Sequence, residues 1–129
     1  MKKPLLQSAI GFVVFFLFVN FSPSPKPNAE KKTQIRIFTI NKGKMNEFVS
    51  AWKNGVYPLR IKYGFKIEKA WVARDKNKFI WILSYDGPEG FEAKDSSYYA
   101  SQARTSLKPN PADYIADSEN YFIDTALPE

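Results

Sequence analysis

The sequence KFIWILSY at residues 78–85 decides the fold, because a strand formed by it is apolar on both faces. The odd-numbered side chains from Phe79 to Tyr85 point to one side of such a strand, and Ile80 and Ile82 point to the other. An antiparallel sheet with one face in water alternates apolar and polar residues instead. We therefore expect both faces of this sheet to be covered.

The segments on either side of this stretch predict the element order β-α-β-β-α-β. The predicted strands are residues 33–40, 65–73, 78–85 and 121–126. One predicted helix begins near Met45 and ends at Gly64, with a kink or break near residues 55–58; a second spans residues 89–107, and a short one spans residues 111–116. This order is the ferredoxin-like α+β fold, in which both helices lie on one face of a four-stranded antiparallel sheet.

The second face of the sheet needs a covering that the two helices do not supply. It must meet a second subunit, a ligand or both. We expect two sheets to pair face to face as a dimeric α+β barrel, because a domain of about 100 residues has little else to place there. The alternatives are a central strand that tolerates additional apolar residues, or a C-terminal segment folded over it. If the protein pairs in this way, replacing Leu83 by Asp should break the homodimer.

The N-terminus has the pattern of an export signal. Lys2 and Lys3 precede an apolar run at residues 9–19 that contains no polar side chain. A run of this length matches the apolar part of a secretory signal peptide and is shorter than the roughly 20 residues of a membrane span. We predict export to the periplasm or the medium. The alternative is a membrane anchor at residues 5–21 that is not cleaved.

The predicted leader divides the chain into two parts and contains some of its basic residues. We assign residues 1–29 to the signal peptide and its Pro-rich tether, and residues 30–129 to one domain. Three of the 19 Lys and Arg residues precede residue 30, which leaves 16 basic against 13 acidic residues and lowers the net charge from +6 to +3. Because this excess is small and no RNA-binding motif is present, we predict no nucleic-acid partner.

The composition excludes several kinds of chemistry. The 129 residues include no Cys and no His. Disulfides, cysteine nucleophiles, Ser-His-Asp triads, zinc sites of imidazole or thiolate and haem held by a histidine of this chain are therefore excluded. We predict no metal and no cofactor. An exported domain without disulfides must gain its stability from packing or association.

Tyr98, Tyr99 and Arg104 form the most suggestive cluster of candidate binding residues. Two phenols and a guanidinium can bind and polarise a carboxylate or an enolate. The alternative is structural: one tyrosine packs on the sheet and Arg104 bonds to the end of a helix. The aromatic residues Trp71, Trp81 and Tyr85 are candidates for lining a space between the sheet and its covering layer, where flat walls suit a planar ligand. Core or interface packing is the alternative for these three.

Two arginines lie in apolar surroundings. Arg36 and Arg60 each need a carboxylate if they are buried. The candidate partners of Arg36 are Asp86, Asp124 and Glu68, and Arg36 is also a candidate substrate anchor. The other acidic residues form no motif, and Asp95 is assigned with them to a solvated helix face.

Five stretches of the sequence, taken in order, are similar to those of one known family. They are RIFTINKGK (36–44), PLRIKYGF (58–65), AWV (70–72), FIWILSY (79–85) and DSSYYAS (95–101), the last followed by Arg104. On these stretches the chain resembles the NIPSNAP family of the dimeric α/β barrel superfamily. Their order and spacing within residues 33–125 carry the likeness.

The resemblance implies a dimer in which two sheets face each other as a barrel. The superfamily includes cofactor-independent monooxygenases, haem-degrading enzymes and proteins of unknown activity. It supplies no catalytic residues for this sequence, and relatives that use a histidine for haem ligation or proton transfer have no counterpart here. We therefore expect an exported homodimer that binds a small apolar or amphipathic ligand. The alternatives are a cofactor-independent, monooxygenase-like enzyme and an interaction protein without a pocket, so catalysis is left open.

Overall fold

The computed structural model describes residues 30–128 and, before them, only residues 2, 4, 14, 15, 17, 19 and 20. The predicted signal peptide at 1–29, the alternative anchor at 5–21 and most of the Pro-rich tether therefore lie outside the described residues and stay predictions. Within the described residues, no helix combines the length and apolar character needed to cross a membrane.

Four strands and four α-helices build the domain. The strands are β1 (Lys32–Ile40), β2 (Lys66–Ala73), β3 (Lys78–Tyr85) and β4 (Ile115–Phe122). The helices are α1 (Met45–Ala51), α2 (Tyr57–Lys62), α3 (Phe91–Ala100) and α4 (Gln102–Thr105). All neighbouring strands are antiparallel, in the order β2-β3-β1-β4. The predicted ferredoxin-like α+β fold is confirmed.

The first helical region stays helical where a kink or break was predicted. A π-helical turn, Trp52–Val56, joins α1 to α2, and the Tyr57 N–H donates to the carbonyl of Trp52, five residues earlier. Pro58 follows in the first turn of α2, where its missing N–H is tolerated. The wider π turn takes the place of a break. The predicted end of the helix is confirmed, because Gly64 has a left-handed φ of 87°.

The helices cover one face of β3, as its pattern predicted. Phe79 and Trp81 are buried against this layer, and the ring of Phe79 lies 5.0 Å from that of Phe48 on α1. Leu83 is fully buried in the same core. The prediction that Leu83→Asp breaks a dimer is therefore wrong as a test of association, because that change places a charge in the core of one chain. Ile80 and Ile82 lie on the opposite face.

The second helical region and the last strand differ from their predicted bounds. The predicted helix 89–107 is divided at Ser101, whose extended backbone (φ −68°, ψ 144°) separates α3 from α4. The Ser101 hydroxyl accepts the backbone N–H of Arg104 at 3.1 Å and so caps α4. The predicted last strand, 121–126, is wrong: β4 begins six residues earlier and ends at Phe122. As an edge strand, β4 leaves most of its side chains exposed and has no apolar alternation to reveal it.

The face of the sheet away from the helices carries an apolar patch, which we call the open face. Its apolar members are Trp71, Ile80, Ile37, Ile82, Ile35 and Tyr121, which are aligned across the sheet by the strand register. Trp71 and Tyr121 are 48% and 53% exposed. This is the face that the predicted dimer would cover, and the pairing itself stays a prediction.

Candidate functional site

A cavity of about 440 Å³ lies between the helices and the β1–β4 half of the sheet. Its inner wall is buried and largely aromatic, and consists of Phe38, Phe48, Trp52, Val56, Trp81 and Tyr98. Its outer rim is exposed and includes Ala112, Ala116, Asp117, Ser118 and Asn120. Arg36, Tyr99 and Arg104 add polar groups to the lining. The cavity is thus apolar within and polar toward its rim.

Arg36 enters this space from β1 and is held on all three nitrogens. It is 2% exposed. Its Nε donates to Gln34 Oε1 at 2.7 Å, its Nη1 to the Tyr99 hydroxyl at 2.8 Å and its Nη2 to Asp95 Oδ2 at 2.9 Å. The predicted partners Asp86, Asp124 and Glu68 are wrong, because the carboxylate comes from α3.

Arg60 of α2 shares the same carboxylate. Its Nη1 donates to Asp95 Oδ1 at 2.6 Å, and its guanidinium carbon lies 3.6 Å from the centre of the Tyr98 ring. Arg60 is fully buried, and its Nε and Nη2 have no hydrogen-bond partner among the described residues. Burial lowers the pKa of Arg60. One carboxylate therefore pairs with two buried guanidinium groups.

The assignment of Asp95 to a solvated helix face is wrong. The Asp95 side chain is 22% exposed and bridges both arginines. The sequence does contain a signal for this position: Phe91, Asp95 and Tyr98 are spaced i, i+4 and i+7, so they share one helix face. Phe91 and Tyr98 are both buried, and that spacing places Asp95 beside them.

The structure brings Tyr98, Tyr99 and Arg104 together at the cavity. Tyr98 is fully buried, its hydroxyl has no partner among the described residues, and burial raises its pKa. Tyr99 is 44% exposed, with its ring 5.3 Å from that of Tyr98. The guanidinium carbon of Arg104 lies 5.7 Å from the centre of the Tyr99 ring, and its Nη1 donates to Asn110 Oδ1 at 3.1 Å. Arg104 thus reaches across from α4 to the loop before β4.

The three aromatic candidates do not share one space. Trp81 is buried and lines the cavity. Trp71 belongs to the open face, on the other side of the sheet. Tyr85 packs against Phe65 at 5.0 Å and donates to Glu89 Oε2 at 2.5 Å, and it does not line the cavity. Burial and the bond to Glu89 raise the pKa of Tyr85 to about 12.

Sequence reasoning missed Trp52 and the contribution of β4. Trp52 lies within the predicted helix that begins near Met45, where apolar residues recur at helical spacing. Nothing in that pattern distinguishes a cavity wall from a core position. Its ring lies 5.5 Å from that of Trp81, and the indole N–H groups of both have no partner among the described residues. Ser118 and Asn120 were missed because the predicted strand began at Tyr121.

The lining suits binding and polarisation more than metal chemistry. Among the described residues, no group of three acidic side chains is placed to hold a metal ion. The charged groups of the lining are one carboxylate, that of Asp117, and two guanidinium groups, those of Arg36 and Arg104. Guanidinium groups bind oxygen acceptors and stabilise negative charge.

The element order and the sheet order β2-β3-β1-β4 place the protein among ferredoxin-like α+β domains. Solved structures of NIPSNAP proteins have this fold. A NIPSNAP family protein from Agrobacterium tumefaciens has a TM-score of 0.67 at 16% identity, over 79% of this chain and 92% of its own. An uncharacterized NIPSNAP domain protein from Burkholderia xenovorans has a TM-score of 0.63 at 17% identity, over 76% of this chain and 99% of its own.

The same fold extends to oxygenases. SnoaB, a cofactor-independent oxygenase from Streptomyces nogalater, has a TM-score of 0.57 at 16% identity, over 78% of this chain and 97% of its own. No protein-family model matches the sequence, and no curated protein matches it. The resemblance to NIPSNAP proteins is therefore confirmed at the level of the fold.

Proposed function

We propose that this protein binds a small amphipathic molecule with a planar apolar body in the cavity beneath its helices. The observation that carries the proposal is the composition of the cavity: an inner wall of buried aromatic rings, with Arg104 and Tyr99 adding polar groups to the lining. A volume of about 440 Å³ is within the range of small-molecule sites, which are typically apolar with a few placed polar groups.

Binding of an uncharged dye tests this proposal. N-phenyl-1-naphthylamine should gain fluorescence in the presence of the purified protein, because the aromatic wall shields it from water. Ser118→Trp adds a ring to the cavity lining and should abolish the gain. Thr105→Trp, which adds the same ring at an exposed position outside the lining, should leave it unchanged. Equal dye binding by the wild type and Ser118→Trp would refute the site.

We also propose that the protein acts as a homodimer that pairs through the open face. The support is the row of aligned apolar residues there, including Ile80 beside Ile37 and Trp71. An apolar patch of this kind on a small domain favours association. Ile80→Asp should shift the protein to a monomer in sedimentation, whereas Ile61→Asp, an exposed isoleucine of α2, should not. A wild-type protein that sediments as a folded monomer contradicts this proposal.

Export is proposed from the N-terminal pattern of two lysines followed by the apolar run at residues 9–19. Expression of the full chain in a bacterium should yield a shortened protein outside the cytoplasm. Intact mass locates the cleavage point. A full-length protein that sediments with the membrane favours the alternative anchor at residues 5–21.

A second candidate function is cofactor-independent oxygenation, and one observation favours it. The Arg36–Tyr99 hydrogen bond lies at the cavity, where it can stabilise the enolate of a substrate. SnoaB, which shares the fold, is a cofactor-independent oxygenase. Consumption of dioxygen by the purified protein with an enolisable aromatic ketone, lost in Tyr99→Phe, is the expected result. A binding protein without this activity consumes no oxygen above the uncatalysed rate.

A further inference from the structure

The cluster formed by Arg36, Asp95 and Arg60, which we call the arginine cluster, contains one positive charge more than negative. Both guanidinium groups are almost completely buried, and Asp95 is their shared carboxylate. Buried ions are normally paired, since an uncompensated charge in a medium of low dielectric is costly. The cluster therefore attracts a further anion.

The cavity is the side from which that anion can arrive. Arg36 is the member of the cluster that lines the cavity. Arg104 lines it as well, and the guanidinium carbons of the two arginines lie 5.8 and 5.7 Å from the centre of the Tyr99 ring. The lining also contains one carboxylate, that of Asp117 on the exposed rim. The guanidinium groups of two cavity-lining arginines thus both lie within 6 Å of the same tyrosine ring.

We propose that the cavity selects a planar aromatic monoanion, whose carboxylate lies between Arg36 and Arg104 and supplies the negative charge that the arginine cluster lacks. This inference rests on the proposed function and specifies the chemical class of its ligand. A neutral molecule of the same shape fills the aromatic part of the cavity and leaves the cluster uncompensated.

A matched pair of ligands tests the charge separately from the shape. 2-Naphthoate and 2-naphthamide are nearly the same size, but only the first is negatively charged at pH 7. Calorimetry with the purified protein should show naphthoate binding about tenfold to a hundredfold more tightly, as expected for hydrogen bonds to a charged group. Arg104→Met, which removes a partly exposed guanidinium group of the lining, should reduce this ratio severalfold. Arg36→Met should reduce it to near one.

The outcomes separate the two proposals. Equal affinity of the wild type for both ligands overturns the selection of an anion and leaves the binding site standing. A preference for naphthoate that survives unchanged in Arg104→Met overturns the assignment of the carboxylate to this position, even if Arg36→Met fails to fold. Binding of neither ligand, together with no gain in dye fluorescence, overturns both the charge inference and the proposed function.

Discussion

Neutralising Asp95 is the change that tests the arginine cluster most directly. Asp95→Asn keeps the size of the side chain but removes the charge that compensates Arg36 and Arg60, whose nitrogens lie 2.9 and 2.6 Å from it. Breaking a buried ion pair by removing one partner costs about 3–5 kcal/mol. Because Asp95 is 22% exposed, water can compensate part of the loss. We therefore expect the lower end, about 3 kcal/mol of unfolding free energy.

That loss is large for a domain of this size. A domain of about 100 residues has a free energy of unfolding of roughly 5–15 kcal/mol. A loss of about 3 kcal/mol should lower the Tm by roughly 12 °C or more, at about 4–8 °C per kcal/mol. Thermal and urea unfolding followed by circular dichroism measure both quantities.

Glu92→Gln is the matched control for this experiment. Glu92 belongs to the same helix and pairs with Lys32 at 2.5 Å, but its side chain is 60% exposed. Its replacement should leave the Tm nearly unchanged, as is usual for surface ion pairs. If Asp95→Asn and Glu92→Gln melt together with the wild type, the view that the buried cluster depends on this carboxylate is wrong.

A double change adds a further check. In Arg60→Met/Asp95→Asn, one of the two guanidinium groups that have lost their counter-charge is itself removed. The double variant should therefore be more stable than the sum of the two single losses predicts. Simple additivity would mean that Arg60 and Asp95 do not interact energetically, despite their 2.6 Å contact.

Three further predictions concern local structure. The pKa of Tyr85 is raised from its ordinary value near 10 to about 12, so the contribution of Tyr85 to stability is present below pH 10 and is lost as the pH rises toward 12. Tyr85→Phe should therefore make the fall in the urea midpoint over that pH range shallower. An unchanged slope would refute this. Ser101→Ala removes the hydroxyl that caps α4 at the Arg104 N–H and should cost about 1 kcal/mol in urea unfolding, whereas Ser101→Asn should preserve most of the stability. Gly64→Ala forces a side chain into a left-handed backbone with φ 87° and should cost about 1–2 kcal/mol, a loss that would be absent if the helix could end differently.

The sequence predicts those parts of the fold that are buried on a regular pattern. The bounds of β3 are predicted correctly and those of β1 within one residue, because alternating apolar side chains fix both the strand and its faces. β4 fails for the opposite reason: most of its side chains face solvent, so its pairing with β1 is determined by tertiary context and leaves no periodic signal.

The candidate site, like the fold, could be predicted from the sequence only in part. Tyr98, Tyr99 and Arg104 are close in sequence, and their proximity survives in the structure even though the helix is divided at Ser101. Asp95 could not be paired with Arg36 by residue type alone, because the contact spans 59 positions in the sequence. Trp71 lies on the face of the sheet opposite the cavity, and the sequence could not show this because alternation identifies two faces of a strand but does not say which face the helices cover.

The two edges of the sheet limit how copies of this protein can aggregate. β4 presents Asp117 and Glu119, and β2 presents Lys66, Glu68 and Lys69, so each edge carries charges that disfavour the addition of another strand. Growth of a continuous sheet from chain to chain is thereby disfavoured at both edges. Association through the open face is of a different kind, because a patch that pairs with its own copy is used up once two molecules meet. The proposed homodimer would therefore be a closed pair that adds no further copies.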